Sequence, residues 1–202
     1  MKYKTIKSPT QSKITIKGSK FLGFSYPVDS MKEIESTLHE IRKKYYDATH
    51  HCYAWQLGTG NDMTFRYNDD GEPSGTAGKP IYGAIQRLDL TNILIVSVRY
   101  FGGTKLGTGG LIKAYGQSAS DTLTEAKIKT VLKGDKLQFI CSYEHHPVVA
   151  HCVNQYDLIS FSQEFAETVR IDLEAEEHLT EKLLEDVKNK TNGVVIGDVI
   201  IS

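Results

Sequence analysis

Residues 92–100 read NILIVSVRY, an almost unbroken apolar run that ends on a cation and a tyrosine. A short run rich in β-branched residues, with no regular polar alternation, is a strand buried on both faces. Such a strand needs cover on each side, so the chain must pack helices on a sheet. The segment that follows is just as restrictive. Arg99 to Gly116 reads RYFGGTKLGTGGLIKAYG, in which six of eighteen residues are glycine and three are the cations Arg99, Lys105 and Lys113. The order is strand, glycine loop, helix, with the helix expected over about 108–128.

The elements before it follow from the same signals. Strands are expected at about 13–18 and 20–28. Ser30 with Glu33 then forms a capping box, and Met31, Ile34, Leu38, Ile41 and Tyr45 make the buried stripe of a helix. HHCYAWQLG (50–58) and MTFRYN (63–68) read as two strands about the turn GTGND, and a helix spans about 77–87 after the loop DDGEPSGTAG. This order, β-β-α-β-β-α-β-α, is α+β with helices on a mixed sheet. Beyond LKGDK (132–136) the pattern becomes β-α-β-β-α-β, the ferredoxin-like order. Its first helix carries Pro147 in the opening turn. Its second spans about 174–190 on Leu179, Leu183, Leu184 and Val187, and stops at Asn192-Gly193. Two domains are therefore expected, 1–133 and 134–202.

Charge divides at the same place. Residues 1–133 carry 19 Lys and Arg against 12 Asp and Glu, a net of +7; residues 134–202 carry 5 against 13, a net of −8. The basic part suits an anionic partner, and the acidic part would repel or compete with that partner, or simply attract the basic part. Seven acidic residues from Asp172 to Asp186 are expected to face water. The N-terminus MKYKTIKSPTQSK lacks an apolar core, so it does not read as a secretory signal. No apolar run approaches the roughly 20 residues of a membrane span. Three cysteines, Cys52, Cys141 and Cys152, form no CxxC pair, so neither a disulfide framework nor a thiolate zinc knuckle is expected, and a cytoplasmic location fits.

A glycine loop feeding a helix exposes backbone N–H groups at the positive end of the helix dipole, a ready anion site. Gly102, Gly103, Gly107, Gly109 and Gly110 supply the bare backbone, Thr108 the expected N-cap, and Lys105 and Lys113 the charge. Known phosphate signatures fail here. GxxxxGK[ST] would need lysine where Thr108 stands, and GxGxxG would need glycine where Ile112 stands. Close packing is the other use of so many small residues, since a helix beginning GTGGLIKAYGQSAS can lie tight on a sheet; one stretch can do both.

KGSKFLGF, ATHHCYAW, DDGEPSGTAGKP and RYFGGTKLGTGGLIKAYG, in that order along the chain, resemble the IMPACT family, specifically its bacterial two-domain members. The resemblance covers the whole chain. It implies a first domain similar to domain 2 of the small-subunit ribosomal protein number five, and a second similar to the last domain of elongation factor G. Both relatives belong to translation. Eukaryotic members act through an activator of a stress kinase, but they carry a different extra domain. For bacterial members the resemblance implies binding of nucleic acid or ribosomes.

In ATHHCYAW, alternation sets His50, Cys52 and Ala54 on one strand face and His51, Tyr53 and Trp55 on the other. His50 matches the motif's histidine and is expected to contact a ligand or to bond structurally; a Cys–His nucleophile would lack an orienting group and an oxyanion site. Tyr53 and Trp55 would stack on bases if exposed, although core packing is expected for at least one of them. Asp69, Asp70 and Glu72 form a loop cluster, either a Mg²⁺ site beside substrate phosphates or a turn at Asp70-Gly71 with Glu72 paired to Lys79 or Arg99. His145, His146, His151 and Cys152 have poor zinc spacing. The reading chosen is a translation-associated regulator that binds RNA or ribosomes. Its contact set is Arg99, Lys105, Lys113, Lys79, His50 and the glycine loop, with no metal, no other cofactor and no membrane. An enzyme acting on a phosphorylated small molecule and a protein-binding adaptor are the alternatives.

Overall fold

Residues 2–132 and 134–200 are described by the computed structural model. The first part of the chain runs β1 (Lys2–Ile6), β2 (Thr10–Ile16), β3 (Ser19–Pro27), α1 (Met31–Lys44) and β4 (His50–Leu57), followed by β5 (Thr64–Asn68), α2 (Gly78–Arg87), β6 (Ile93–Tyr100), α3 (Gly107–Thr124) and β7 (Ile128–Leu132). The rest runs β8 (Gly134–Cys141), α4 (His146–Val153), β9 (Leu158–Phe165), β10 (Val169–Glu176), α5 (Glu177–Lys190) and β11 (Gly197–Ile200). The chain divides into a larger unit, Tyr3–Val131, and a smaller one that joins Lys2 to the residues from Leu132 onward.

In the larger unit the apolar run becomes β6, at the centre of a five-stranded sheet of order β2-β3-β6-β4-β5. Ile93 to Arg99 are all buried. Every ladder in this sheet is antiparallel, which corrects the expected mixed sheet. The crossover β3-α1-β4 does join two parallel strands, but β6 inserts between them and pairs antiparallel with both. The hairpin β2-β3 turns on Lys17 and Gly18, both at positive φ, as a two-residue hairpin turn of the primed kind requires.

The two faces of the sheet carry separate cores. On one, Ile34, Leu38 and Ile41 of α1 meet Tyr53, Trp55, Leu94, Val96 and Val98. Met31, expected in that stripe, is instead 43% exposed at the first helical position. On the other face α2 and α3 cover Phe21, Cys52, Ala54, Ile93 and Ile95. The approach of α3 is close because β3 offers Gly23, where a Cβ would fall 2.0 Å from the Thr122 hydroxyl. Ser12, Ser118 and Thr122 join in hydrogen bonds across that contact. The helix ends at Thr124, not near 128, and Ile128 opens β7, which pairs with β1 in a two-stranded sheet beyond the expected elements.

The smaller unit has the expected β-α-β-β-α-β connectivity, in a sheet of order β11-β8-β10-β9 with antiparallel ladders. Leu137, Phe139, Ile171 and Leu173 face Leu183 and Val187 of α5. Pro147 lies in the first turn of α4. Asn192 and Gly193 take positive φ, and the Gly193 amide donates to the Lys188 carbonyl at 2.7 Å, closing α5. The seven acids from Asp172 to Asp186 are half-exposed or exposed. No helix among the described residues is long and apolar enough to cross a membrane.

Candidate nucleic-acid interface

Two glycine-rich loops precede α2 and α3, and the side chains beneath them form one buried network. Strand alternation places His50 and Cys52 on the α2–α3 side of β4, and Arg99 lies opposite His50 in the neighbouring ladder. The Arg99 guanidinium, 4% exposed, donates to Glu72 at 2.5 Å and to the Ser19 hydroxyl at 3.2 Å. Tyr115 of α3 donates its phenol proton to the same Glu72 oxygen at 2.7 Å. His50 Nδ1 lies 2.8 Å from the Asp70 carbonyl, and its Nε2 is 3.8 Å from Glu72. Cys52 donates to the Asp69 carbonyl at 3.0 Å. Burial drives the Cys52 thiol and the Tyr115 phenol far above their ordinary values, and for Tyr115 the nearby Cys52 and Glu72 push the same way. Both groups therefore stay protonated.

This geometry revises several expectations. Arg99, expected on phosphate, is turned inward and neutralised by Glu72, because a buried guanidinium needs a buried counter-charge. Glu72 takes the Arg99 partner, not Lys79. Asp70 and Gly71 do form the turn, both at positive φ, with the Glu72 amide donating to the Asp69 carbonyl at 2.9 Å. One Asp69 oxygen accepts the amides of Ala77 and Gly78 at 2.9 and 2.8 Å, and the other accepts that of Gly75 at 2.8 Å. Asp70 accepts the His51 amide at 2.6 Å and sits 3.7 Å from Arg42. The three carboxylates are thus directed at the protein's own amides and cations, which does not fit a Mg²⁺ cradle. Among the described residues no three His, Cys, Asp or Glu side chains cluster as metal ligands. Tyr53 and Trp55 are buried beneath α1 and offer no stacking face.

The second loop is different. Phe101 to Lys105 are exposed, as are Gly107 to Gly109, Ile112 and Lys113. Gly102 is structural: a Cβ there would fall 1.9 Å from the Gly18 backbone, and its amide donates to Ser19. Helix α3 begins one residue earlier than expected, so Thr108 is inside the first turn; Leu106 holds the N-cap position, and among the described residues no side chain caps the amides. Gly109 has neither a positive φ nor any neighbour within 4 Å of a built Cβ. The small residues that pack tightly come later, at Ala114, Ser118, Ala119 and Thr122. Anion presentation and close packing are therefore divided between the start and the middle of one helix. Lys79 is exposed on the first turn of α2. Sequence reasoning passed over Phe101, Phe65 and Tyr67, all well exposed; period-2 alternation identifies a face but not which part of it a helix leaves open.

These features define an α+β chain in which a basic unit displays an uncapped glycine loop over a buried Glu–Arg–Tyr network edged by the half-buried His50. The profile described as the Impact N-terminal domain matches residues 17–123. IMPACT family member YvyE of Bacillus subtilis is 42% identical over 121 residues, 60% of this chain and 55% of that relative. An IMPACT family member of Haemophilus influenzae is 30% identical over 182 residues, covering 90% of this chain and 88% of its own length. YigZ of Escherichia coli is 36% identical over 132 residues, covering 65% of this chain and 64% of YigZ. The chain thus spans less than two thirds of YvyE and of YigZ. A crystal structure of a hypothetical protein, 25% identical, superposes over 100% of this chain and 98% of its own, with a TM-score of 0.69. The chain belongs to the IMPACT family and is YigZ-like.

Proposed function

We propose that this protein is a translation-associated regulator that binds RNA or ribosomes through the basic Tyr3–Val131 unit. The supporting observation is the loop from Phe101 to Lys113. It combines uncapped helix amides, exposed Lys105 and Lys113, and an exposed glycine, Gly109, that neither φ nor packing requires. Backbone amides and lysines contact phosphates without reading bases, so recognition is of shape and charge. The division of the chain into domains at 133/134 belongs to this reading. So does the likeness of the first part to domain 2 of ribosomal protein five and of the ferredoxin-like second part to the last domain of elongation factor G. The acidic second part limits non-specific binding.

The contact set is accordingly Lys105, Lys113, Lys79, Gly103, Gly107, Thr108, Gly109 and Gly110. Gly102, Arg99 and His50 hold the loops from beneath. Exchanging Lys105→Glu and Lys113→Glu together is expected to weaken binding to a structured RNA at least about tenfold. It is also expected to flatten the plot of log affinity against log salt by roughly 0.9 for each duplex phosphate that the protein no longer neutralises. Unchanged RNA affinity and salt slope in the double variant would remove the loop as the contact surface.

A further inference from the structure

The α1 side of the five-stranded sheet is only partly covered. Helix α1 lies over β4, β6 and the near part of β3, and β2 continues past it. Along β2 burial alternates, and the exposed positions Gln11, Lys13 and Thr15 pair with Phe24, Leu22 and Lys20 of β3. Lys20 pairs in turn with Tyr100 of β6. All these positions share the face on which α1 packs, so a strip of that face stays open to water beside the helix.

Two adjoining depressions mark the strip. One, of about 370 Å³, is lined by Lys13, Gly18, Lys20, Leu22, Tyr100 and Phe101. The other, of about 280 Å³, shares Lys13 and Leu22 and runs on past Phe24 to Tyr45. Among the described residues no carboxylate lines either depression. Asp47 bonds to the Tyr100 hydroxyl at 2.8 Å. Phe101, 48% exposed, stands at one end with the Arg99 guanidinium carbon 5.6 Å from its ring centroid. Gly102, the next residue, lies on the hairpin backbone at Gly18, so the strip continues directly into the glycine loop.

We infer that this strip is a groove for single-stranded RNA, in which Lys13 and Lys20 take backbone phosphates and Phe101 stacks on a base. Cations on a sheet face interleaved with aromatic and apolar side chains match a single strand. Its phosphates and base faces are displayed together, whereas a duplex hides its base faces. The inference rests on the RNA-binding reading above and divides the labour within it. The glycine loop receives phosphate of any geometry, and the groove selects unpaired nucleotides.

The test measures full-length protein against a fluorescent oligouridine and a blunt RNA hairpin across a salt series. Lys13→Glu with Lys20→Glu is expected to weaken oligouridine binding about tenfold or more and to reduce its salt slope by roughly 0.7 per phosphate, with little change for the hairpin. Phe101→Ala is expected to weaken oligouridine binding by a factor of about five or more, without altering the salt slope. If both groove variants bind oligouridine like the wild type while Lys105→Glu with Lys113→Glu abolishes binding, the groove is overturned and the RNA-binding reading stands. If the wild type binds neither RNA at low salt, both fall.

Discussion

Two glycine-rich loops lie side by side in sequence logic and differ in what they do with the helix behind them. The loop before α2 is closed by its own chain: Asp69 receives three amides, Asp70 and Gly71 make the turn, and Glu72 reaches down to Arg99 and Tyr115. The loop before α3 has no such carboxylate, and among the described residues its first-turn amides meet no capping side chain. Glycine content does not separate the two. What separates them is whether the chain supplies an anion of its own, and the loop left without one is free to accept an anion from a partner.

The sharpest way to break this contrast is to remove the carboxylate that closes the first loop from below. Glu72→Gln leaves the buried Arg99 guanidinium without a counter-charge, a loss of about 3 kcal/mol or more, measurable by urea unfolding. A variant as stable as the wild type would show the network to be incidental. Asp69→Ala should cost less, about 2 kcal/mol, because the amides of Gly75, Ala77 and Gly78 lose a charged acceptor but no buried cation is left unpaired. If that variant also gains affinity for inorganic phosphate, the two loops are interchangeable in kind and differ only in the occupant.

Alkali probes the closed loop in another way. The Cys52 and Tyr115 pKa values are raised in the fold from ordinary values of 9.0 and 10.0. Above those values the unfolded chain has released protons that the folded chain still holds, so the folded state binds more protons and stability falls as pH rises. Stability from these two groups is complete below about pH 9 and declines above it, by up to about 1.4 kcal/mol per pH unit for each group. Cys52→Ala should recover about 1.4 kcal/mol of the loss at pH 10, read from urea unfolding at about pH 7 and pH 10. Cys141 and Cys152, also raised by burial, leave a residual slope of the same sign.

Much of the fold is legible in the sequence itself. The apolar run at Ile93–Tyr100, the Ser30 cap, the proline in α4 and the Asn192-Gly193 stop all depend on neighbours within a few residues, where propensity and periodicity operate. The Ser30 hydroxyl does accept the Glu33 amide, while Glu33 reaches back to Asp29 rather than to Ser30 itself. The inward turn of Arg99 is not legible, because its partner lies 27 residues away and an arginine beside glycines looks the same whether it faces water or a buried glutamate. The insertion of β6 between β3 and β4 is hidden for the same reason: strand order is a tertiary property. The open strip beside α1 follows only once the width of the sheet is compared with the width of one helix.

The smallest effect expected is also the most specific to the open loop. Gly109 sits in the first turn of an eighteen-residue helix with helical backbone and empty space around it. Alanine there should therefore stabilise the fold, by about 0.5–1 kcal/mol, through the lower entropy of the unfolded chain. A chain under selection for stability alone would have little use for glycine at such a position, whereas a phosphate resting on the helix amides would meet the added methyl. The expected result for Gly109→Ala is thus a pair of opposite signs: a higher urea midpoint with weaker RNA binding. A variant that gains stability and keeps full affinity would mean that the bare backbone at Gly109 is not where the anion rests, and the amides of Gly107 and Thr108 would be the next to test.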